Sequence, residues 1–154
     1  MRVVVIHGPN LNLTGERDPQ QYGSETLSDI NAQLRALAGE LGVQLQIVQH
    51  SGEGEIIDAL HAARADAHAV VLNPGAYAHY SHAIADAVAG IGIPVVEVHL
   101  SNVFSRERFR RRSVIAPACR GVIAGFRAHS YLLALRAAVH CVPNFRRKRK
   151  RSGL

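Results

Sequence analysis

Five short runs of β-branched and apolar residues punctuate this chain, and they alternate with segments of helical period. The runs are Arg2–His7, Val43–Gln49, Ala69–Leu72, Val95–Val98 and Val122–Ala124. Between the first two, Leu27, Ile30, Leu34, Leu37 and Leu41 recur at steps of three and four, which is one face of a helix. Thr26 with Asp29 makes a capping box before it, and Gly42 stops it. Ile56, Ile57, Leu60 and Ala63 mark a second helix, Ser81–Ala89 a third, and Ser130–His140 a last. Strands alternating with helices bury their apolar surface in one economical way, as a parallel sheet covered on both faces.

The expected fold is therefore α/β: a flavodoxin-like three-layer sandwich with a central parallel five-stranded sheet, in one domain over residues 1–143. Strand order is not readable from such a pattern. Right-handed crossovers nevertheless place all strand C-termini along one edge, and ligands of open sheets bind beyond that edge.

Chemistry is therefore sought where the strands end. The first run leads into His7-Gly8-Pro9-Asn10 and the third into Asn73-Pro74-Gly75-Ala76-Tyr77-Ala78-His79. The fourth carries Glu97, His99, Ser101 and Asn102. Glu97 and His99 share a face of a regular strand. They read either as an imidazole proton donor supported by a carboxylate or as a paired strand-end charge beside a capping histidine. Each asparagine also reads as an ordinary turn residue. The connection Thr14–Ser24 is long against the roughly 2–6 residues usual between strand and helix. It carries Glu16, Arg17, Asp18 and Tyr22. It is either a lid, in which Arg17 approaches Tyr22, or a surface loop whose tyrosine packs. A phenol serves as a base only when ionised, about one molecule in a thousand at pH 7 for a free side chain, and a neighbouring guanidinium favours that ion. Arg106, Arg108, Arg110, Arg111 and Arg112 crowd one segment, where one or two can fork a carboxylate.

Charge separates body from tail. The net charge of +6 comes from 18 basic and 12 acidic residues, and Arg146–Arg151 alone supply six of the basic ones. The body is balanced, and residues 144–154 read as a self-repelling, disordered basic tail. That tail is either solvated or makes nonspecific contact with nucleic acid; no other nucleic-acid or membrane partner is expected. The two lysines, Lys148 and Lys150, both lie in it, so the body holds no lysine amine for Schiff-base chemistry. No apolar run approaches the ~20 residues of a membrane helix, and Met1–Ile6 lacks the features of a secretory signal. A cytoplasmic location is expected. Cys119 and Cys141 stand outside metal-type spacing and are expected as buried free thiols. The turn after the first strand has neither the GxGxxG nor the Walker pattern, which argues against a small-ligand or nucleotide-binding module without turnover.

Taken in order, these residues resemble the type II 3-dehydroquinate dehydratases from Val3 to about Val139. The likeness rests on Gly8-Pro9-Asn10-Leu11-Asn12-Leu13, Gly15, Arg17 and Tyr22-Gly23. It continues through Asn73-Pro74-Gly75-Ala76-Tyr77, His79, Glu97-Val98-His99-Leu100-Ser101-Asn102, Arg106, Phe109-Arg110 and Gly121-Val122-Ile123. The resemblance implies a hydro-lyase of the shikimate pathway, with quinate catabolism as the alternative within the family. Water leaves 3-dehydroquinate by anti-elimination through an enolate, giving 3-dehydroshikimate, with no metal and no cofactor. It implies Tyr22 as base, Arg17 favouring the tyrosinate, Asn10 holding the enolate oxygen through water, and His99 as proton donor oriented by Glu97. Asn73, His79, Leu100, Ser101 and Arg110 would bind the substrate. Asp86 would reach a neighbouring subunit's site in a dodecamer of trimers, or else is an exposed helical carboxylate. Departures from the family pattern fall at Tyr80, His82, Phe104, Arg112, Val114 and Arg127, the last where glycine is common.

Overall fold

The computed structural model describes residues 1–143; the basic stretch that the sequence marks as a tail lies outside the described residues. Strands β1 (Arg2–His7), β2 (Gln44–Gln49), β3 (Ala69–Asn73), β4 (Val95–His99) and β5 (Gly121–Ala124) form one parallel sheet in the order β2-β1-β3-β4-β5. Helices α2 (Leu27–Leu41), α3 (Glu53–Asp66), α4 (His82–Gly90) and α5 (Ala128–Cys141) cover it, and a one-turn helix α1 (Pro19–Tyr22) precedes them. The architecture is the three-layer sandwich that the alternation requires.

Side-chain alternation along the strands builds two cores. Val3 and Val5 of β1 join Val71, Val96 and Val98 beneath α2 and α5, where Ile30, Leu34, Tyr131 and Leu135 are buried. Val4 and Ile6 join Val70, Leu72 and Val95 on the other face, against Ile56 and Leu60 of α3 and Ile84 and Val88 of α4. Each fully buried aliphatic side chain contributes roughly 1.5–3 kcal/mol from removal of apolar surface from water. The α2 cap forms as its sequence requires: Asp29 N–H donates to Thr26 Oγ1 at 3.1 Å, and Thr26 N–H donates to Asp29 Oδ2 at 2.9 Å.

Element ends differ from the sequence reading by one or two residues. The strands β3 and β4 each run one residue further, to Asn73 and His99, so two chemical groups are part of the sheet itself. Ser81 is the N-cap of α4, its Oγ accepting from Ile84 N–H at 3.1 Å. The segment read as a loop holds α1, started by Pro19 and by Asp18, which accepts from Gln20 N–H. Cys119 and Cys141 are free thiols but half-buried rather than buried. Desolvation pushes the Cys119 thiol up to about 12, which keeps it protonated and unreactive.

The order β2-β1-β3 sends the chain to opposite sides of β1, which opens a crevice at the ends of β1 and β3. His7 pairs with Asn73 in the register, and the Gly8 N–H donates to the Asn73 carbonyl at 2.7 Å. This approach is possible because residue 8 has no side chain. A Cβ there would lie 2.7 Å from the Asn73 oxygen and 2.8 Å from the Pro74 carbonyl carbon. Both obstacles are backbone. Gly8→Ala is therefore expected to destabilise the fold by about 1–3 kcal/mol, read from urea unfolding midpoints; an unchanged midpoint would show that the two strand ends can part at no cost.

Candidate active site

Beyond the crevice lies a cleft of about 130 Å³, floored by strand ends and roofed by the segment that contains α1. Its chemistry begins on β4. Glu97 is fully buried, and one of its carboxylate oxygens accepts from His99 Nε2 at 2.6 Å. The other accepts from Ser113 Oγ at 2.9 Å. A buried carboxylate is tolerated when both oxygens are hydrogen-bonded in this way. Because its partner is an anion, Nε2 carries a hydrogen, and Nδ1 is the His99 nitrogen left for a ligand.

His79 stacks beside it, with ring centroids 6.4 Å apart and planes 16° from parallel. Its Nδ1–H donates to the Arg112 carbonyl at 2.8 Å. Desolvation lowers the His79 pKa, and the charges of His99 and Arg110 act the same way, against the raising effect of the Arg112 hydrogen bond and of Glu97. At neutral pH its Nε2 is accordingly an acceptor for a hydroxyl.

The roof brings a phenol between two guanidinium groups. Arg17 lies with its guanidinium carbon 4.8 Å from the Tyr22 ring centroid, and Arg106 lies at 5.0 Å. Arg106 Nη1 also donates to the Tyr22 hydroxyl oxygen at 2.8 Å and to Ser101 Oγ at 3.3 Å. A guanidinium never deprotonates in proteins. Two permanent positive charges thus stand beside the ring, and Arg106 is hydrogen-bonded directly to the phenol oxygen.

Under the floor runs a buried hydrogen-bond chain. Gly75 N–H donates to Asn73 Oδ1 at 3.1 Å, which fixes the orientation of the amide. Asn73 Nδ2 then donates to the Tyr131 hydroxyl at 2.9 Å. That hydroxyl lies 2.8 Å from His7 Nδ1, and His7 Nε2 lies 2.8 Å from Asn31 Oδ1. The Asn31 oxygen only accepts, so Nε2 bears the hydrogen, Nδ1 accepts, and Tyr131 donates to it. Burial keeps the imidazole neutral, lowering its pKa to about 4 despite the Asn31 hydrogen bond. Burial raises the Tyr131 pKa.

Residues 1–139 match the family described as Dehydroquinase class II. The chain belongs to that family. It is 59% identical to the 3-dehydroquinate dehydratase of Pelotomaculum thermopropionicum, over 90% of this chain and 96% of the relative. It is 56% identical to that of Desulforudis audaxviator, over 92% and 95%. Among solved structures it is similar to the type II dehydroquinase of Butyrivibrio crossotus, with a TM-score of 0.88, 38% identity and coverage of 90% and 97%. The enzyme of Propionibacterium acnes gives 0.85, 40%, 88% and 94%.

This class II dehydroquinase chain gathers most of its sequence-predicted site in the one cleft. Asn10, Arg17, Tyr22, Asn73, His79, His99, Leu100, Ser101 and Arg110 line it, and Glu97 stands directly behind His99. Asn10 is held in the left-handed region, with φ 67°. Arg110 packs on the Phe109 ring at 4.7 Å, and its Nε donates to Glu107 at 2.7 Å. Asp86 is the exception: it is exposed on α4 and does not line its own chain's cleft. Sequence reasoning missed five contributors. Arg106 was noticed only within an arginine-rich run and a motif, yet it is the residue bonded to the Tyr22 hydroxyl. His7 was noted only as part of a strand end, and Ser113, Tyr131 and Asn31 carried no signal beyond their polarity. Among the described residues, no group of three or more His, Cys, Asp or Glu is placed to hold a metal ion.

The His7 environment has a measurable consequence. Its native pKa lies near 4 while an unfolded imidazole titrates near 6.5, so below 6.5 the unfolded state binds more protons. Stability contributed by the neutral ring is complete above 6.5 and is lost as pH falls to about 4, by about 3 kcal/mol. Urea titrations at a series of pH values are expected to show this slope in the wild type and its absence in His7→Asn; parallel curves for the two proteins would contradict it.

Proposed function

We propose that this chain is a 3-dehydroquinate dehydratase, a hydro-lyase that removes water from 3-dehydroquinate to give 3-dehydroshikimate. One observation carries the reading: a phenol clasped by two guanidiniums and an imidazole backed by a buried carboxylate face the same cleft. That pairing occurs in a chain 59% identical to a protein named for this reaction.

In this reading Tyr22 takes a proton from the carbon next to the ketone, and the bonding pair moves into an enolate. Arg106 and Arg17 hold the phenolate charge before transfer. Asn10, through a water molecule, holds the enolate oxygen. The enolate then re-forms its carbonyl, the ring double bond forms, and the carbon–oxygen bond breaks as His99 delivers a proton to the departing hydroxyl. Water leaves, and Tyr22 returns its proton to solvent while His99 regains one. Glu97, fixed by Ser113, orients the imidazole throughout. His79 Nε2 and Ser101 accept or share hydroxyl hydrogens, Asn73 and the Leu100 backbone add further contacts, and Arg110 supplies positive charge for the substrate carboxylate.

The same reading places the enzyme in the cytoplasm, on the biosynthetic route to aromatic amino acids, and assembles it as a dodecamer of trimers in which Asp86 enters a neighbour's cleft. Exposed apolar groups near β5 support assembly: Phe104 is 68% exposed, Phe126 60%, and Val122, on the sheet edge itself, 44%. Edge strands with apolar side chains are covered in stable proteins.

The deciding assay follows the conjugated enone of the product by ultraviolet absorbance after 3-dehydroquinate is added to pure protein. No rise at ample enzyme concentration removes the dehydratase reading. Tyr22→Phe keeps the ring and deletes the proton acceptor, so kcat is expected to fall by about 10²–10⁴-fold with the unfolding midpoint little changed. Near wild-type turnover would assign the base elsewhere. Deletion of residues 146–154 is expected to leave kcat and KM unchanged, since every group named above precedes them; a folded but inactive truncation would place part of the machinery in that stretch.

A further inference from the structure

Arg127 occupies backbone territory that belongs to glycine. Its φ is 53° and its ψ −136°, close to the first central position of a type II′ turn. The His129 N–H closes that turn on the Phe126 carbonyl at 3.1 Å. A side chain is strained there, and strain of this kind persists where surrounding contacts hold it. Those contacts fall on the segment that carries Tyr22. A Cβ built on Gly23 would meet Arg127 Cδ at 3.2 Å, Cβ at 3.6 Å and Cγ at 3.7 Å. The stem of Arg127 thus lies over the backbone of the residue next to the phenol. Gly23 has φ +84° and leaves that space open.

The guanidinium continues the contact. Arg127 Nη2 donates to the Gln20 carbonyl at 3.4 Å, within the single turn of α1, whose last carbonyls have no helical partner of their own. From its backbone, the Arg127 N–H donates to the Leu100 carbonyl at 2.8 Å. Leu100 directly follows His99 and precedes Ser101. One strained residue is therefore tied at its amide to the strand end that bears the imidazole, and at its side chain to the helix that bears the phenol. Arg17 and Arg106 hold the same ring from other sides.

We propose that Arg127 is a positioning residue, a strap that registers the Tyr22 segment against the end of β4 so that base and acid meet one substrate from fixed places. Its kinetic consequence rests on the dehydratase reading; its structural consequence does not. The test uses the full-length protein with Arg127→Gly and Arg127→Lys. Glycine removes strain and strap together, so Tm is expected to hold or rise, by about 2–4 °C if the strain is worth the usual single-site effect. Amide hydrogen exchange across residues 16–23 should quicken about tenfold, and kcat/KM for 3-dehydroquinate should fall about tenfold, a coupling energy typical of a loosened closing segment. Lysine keeps the stem over Gly23 and should recover part of both. A merely structural residue would lower Tm without singling out residues 16–23. Unchanged exchange there in Arg127→Gly overturns the proposal, as does faster exchange with unaltered kcat/KM. If the wild type itself does not act on 3-dehydroquinate, the dehydratase reading falls, and the exchange measurement alone decides the strap.

Discussion

The contact of Gly8 with the Asn73 carbonyl is the constraint from which the site follows. Parallel strands β1 and β3 lie side by side, yet the chain leaves them toward opposite faces of the sheet. Only where their ends are pinned together does the crevice between the departing loops acquire a fixed floor. A backbone bond of 2.7 Å with no room for a methyl group pins them. Asn73 is thereby placed with its carbonyl on Gly8 and its side chain on Gly75 and Tyr131. The Asn73 amide is held from below through Tyr131, His7 and Asn31 by bonds of 2.8–2.9 Å, and its oxygen is held by Gly75 N–H at 3.1 Å.

On that floor the two halves of the chemistry are supported by opposite electrostatics. The imidazole of His99 rests on a buried anion, and the phenol of Tyr22 rests between two cations. In the proposed mechanism the first is the setting of the proton donor and the second that of the proton acceptor. The proposed acid and base are thus told apart by the sign of the neighbouring charge, in a body that contains no lysine. Ser101, touched by Arg106 and following His99 by two residues, stands where the two environments meet.

The fold was legible because its signals are local. The 3-4 spacing from Leu27 to Leu41 and the Thr26–Asp29 box define α2 to the residue, since both cap and apolar face depend on near neighbours alone. The strand-end rule located Asn10, Asn73, His79, Glu97, His99 and Ser101, because their distance from a sheet edge is also a local property. What escaped is long-range. Tyr131 sits inside a helical pattern of leucines and alanines, where an aromatic reads as core; its hydroxyl becomes informative only once residues 7 and 73 lie beneath it. Arg106 was one of five arginines in a short run, and nothing in their spacing says which one reaches residue 22, which is 84 positions away. Asp86 answers to no group in its own chain's cleft, so a single chain carries no signal for its role.

Placing the proposed base, Tyr22, on the roof rather than the floor has an energetic logic. Strands β3 and β4 are buried along their whole lengths and β1 at every residue after Arg2, and nothing on them opens without breaking the sheet. The segment from Thr14 to Ser24 instead holds one helical turn and has no fully buried side chain in that turn. Its ties to the body include the Arg106 contact with the ring, the Arg106 hydrogen bond to the phenol and the Arg127 stem, made by long side chains at little cost in core packing. Segments of low local stability are the ones that open to admit a ligand, at a fraction of the free energy of global unfolding. If Tyr22 is the base, as proposed, its segment is the one that can open for substrate entry and exit, whereas a base on β4 would have to stay. The proposed acid, His99, bonded to the buried Glu97 carboxylate, is the group that the sheet can hold still.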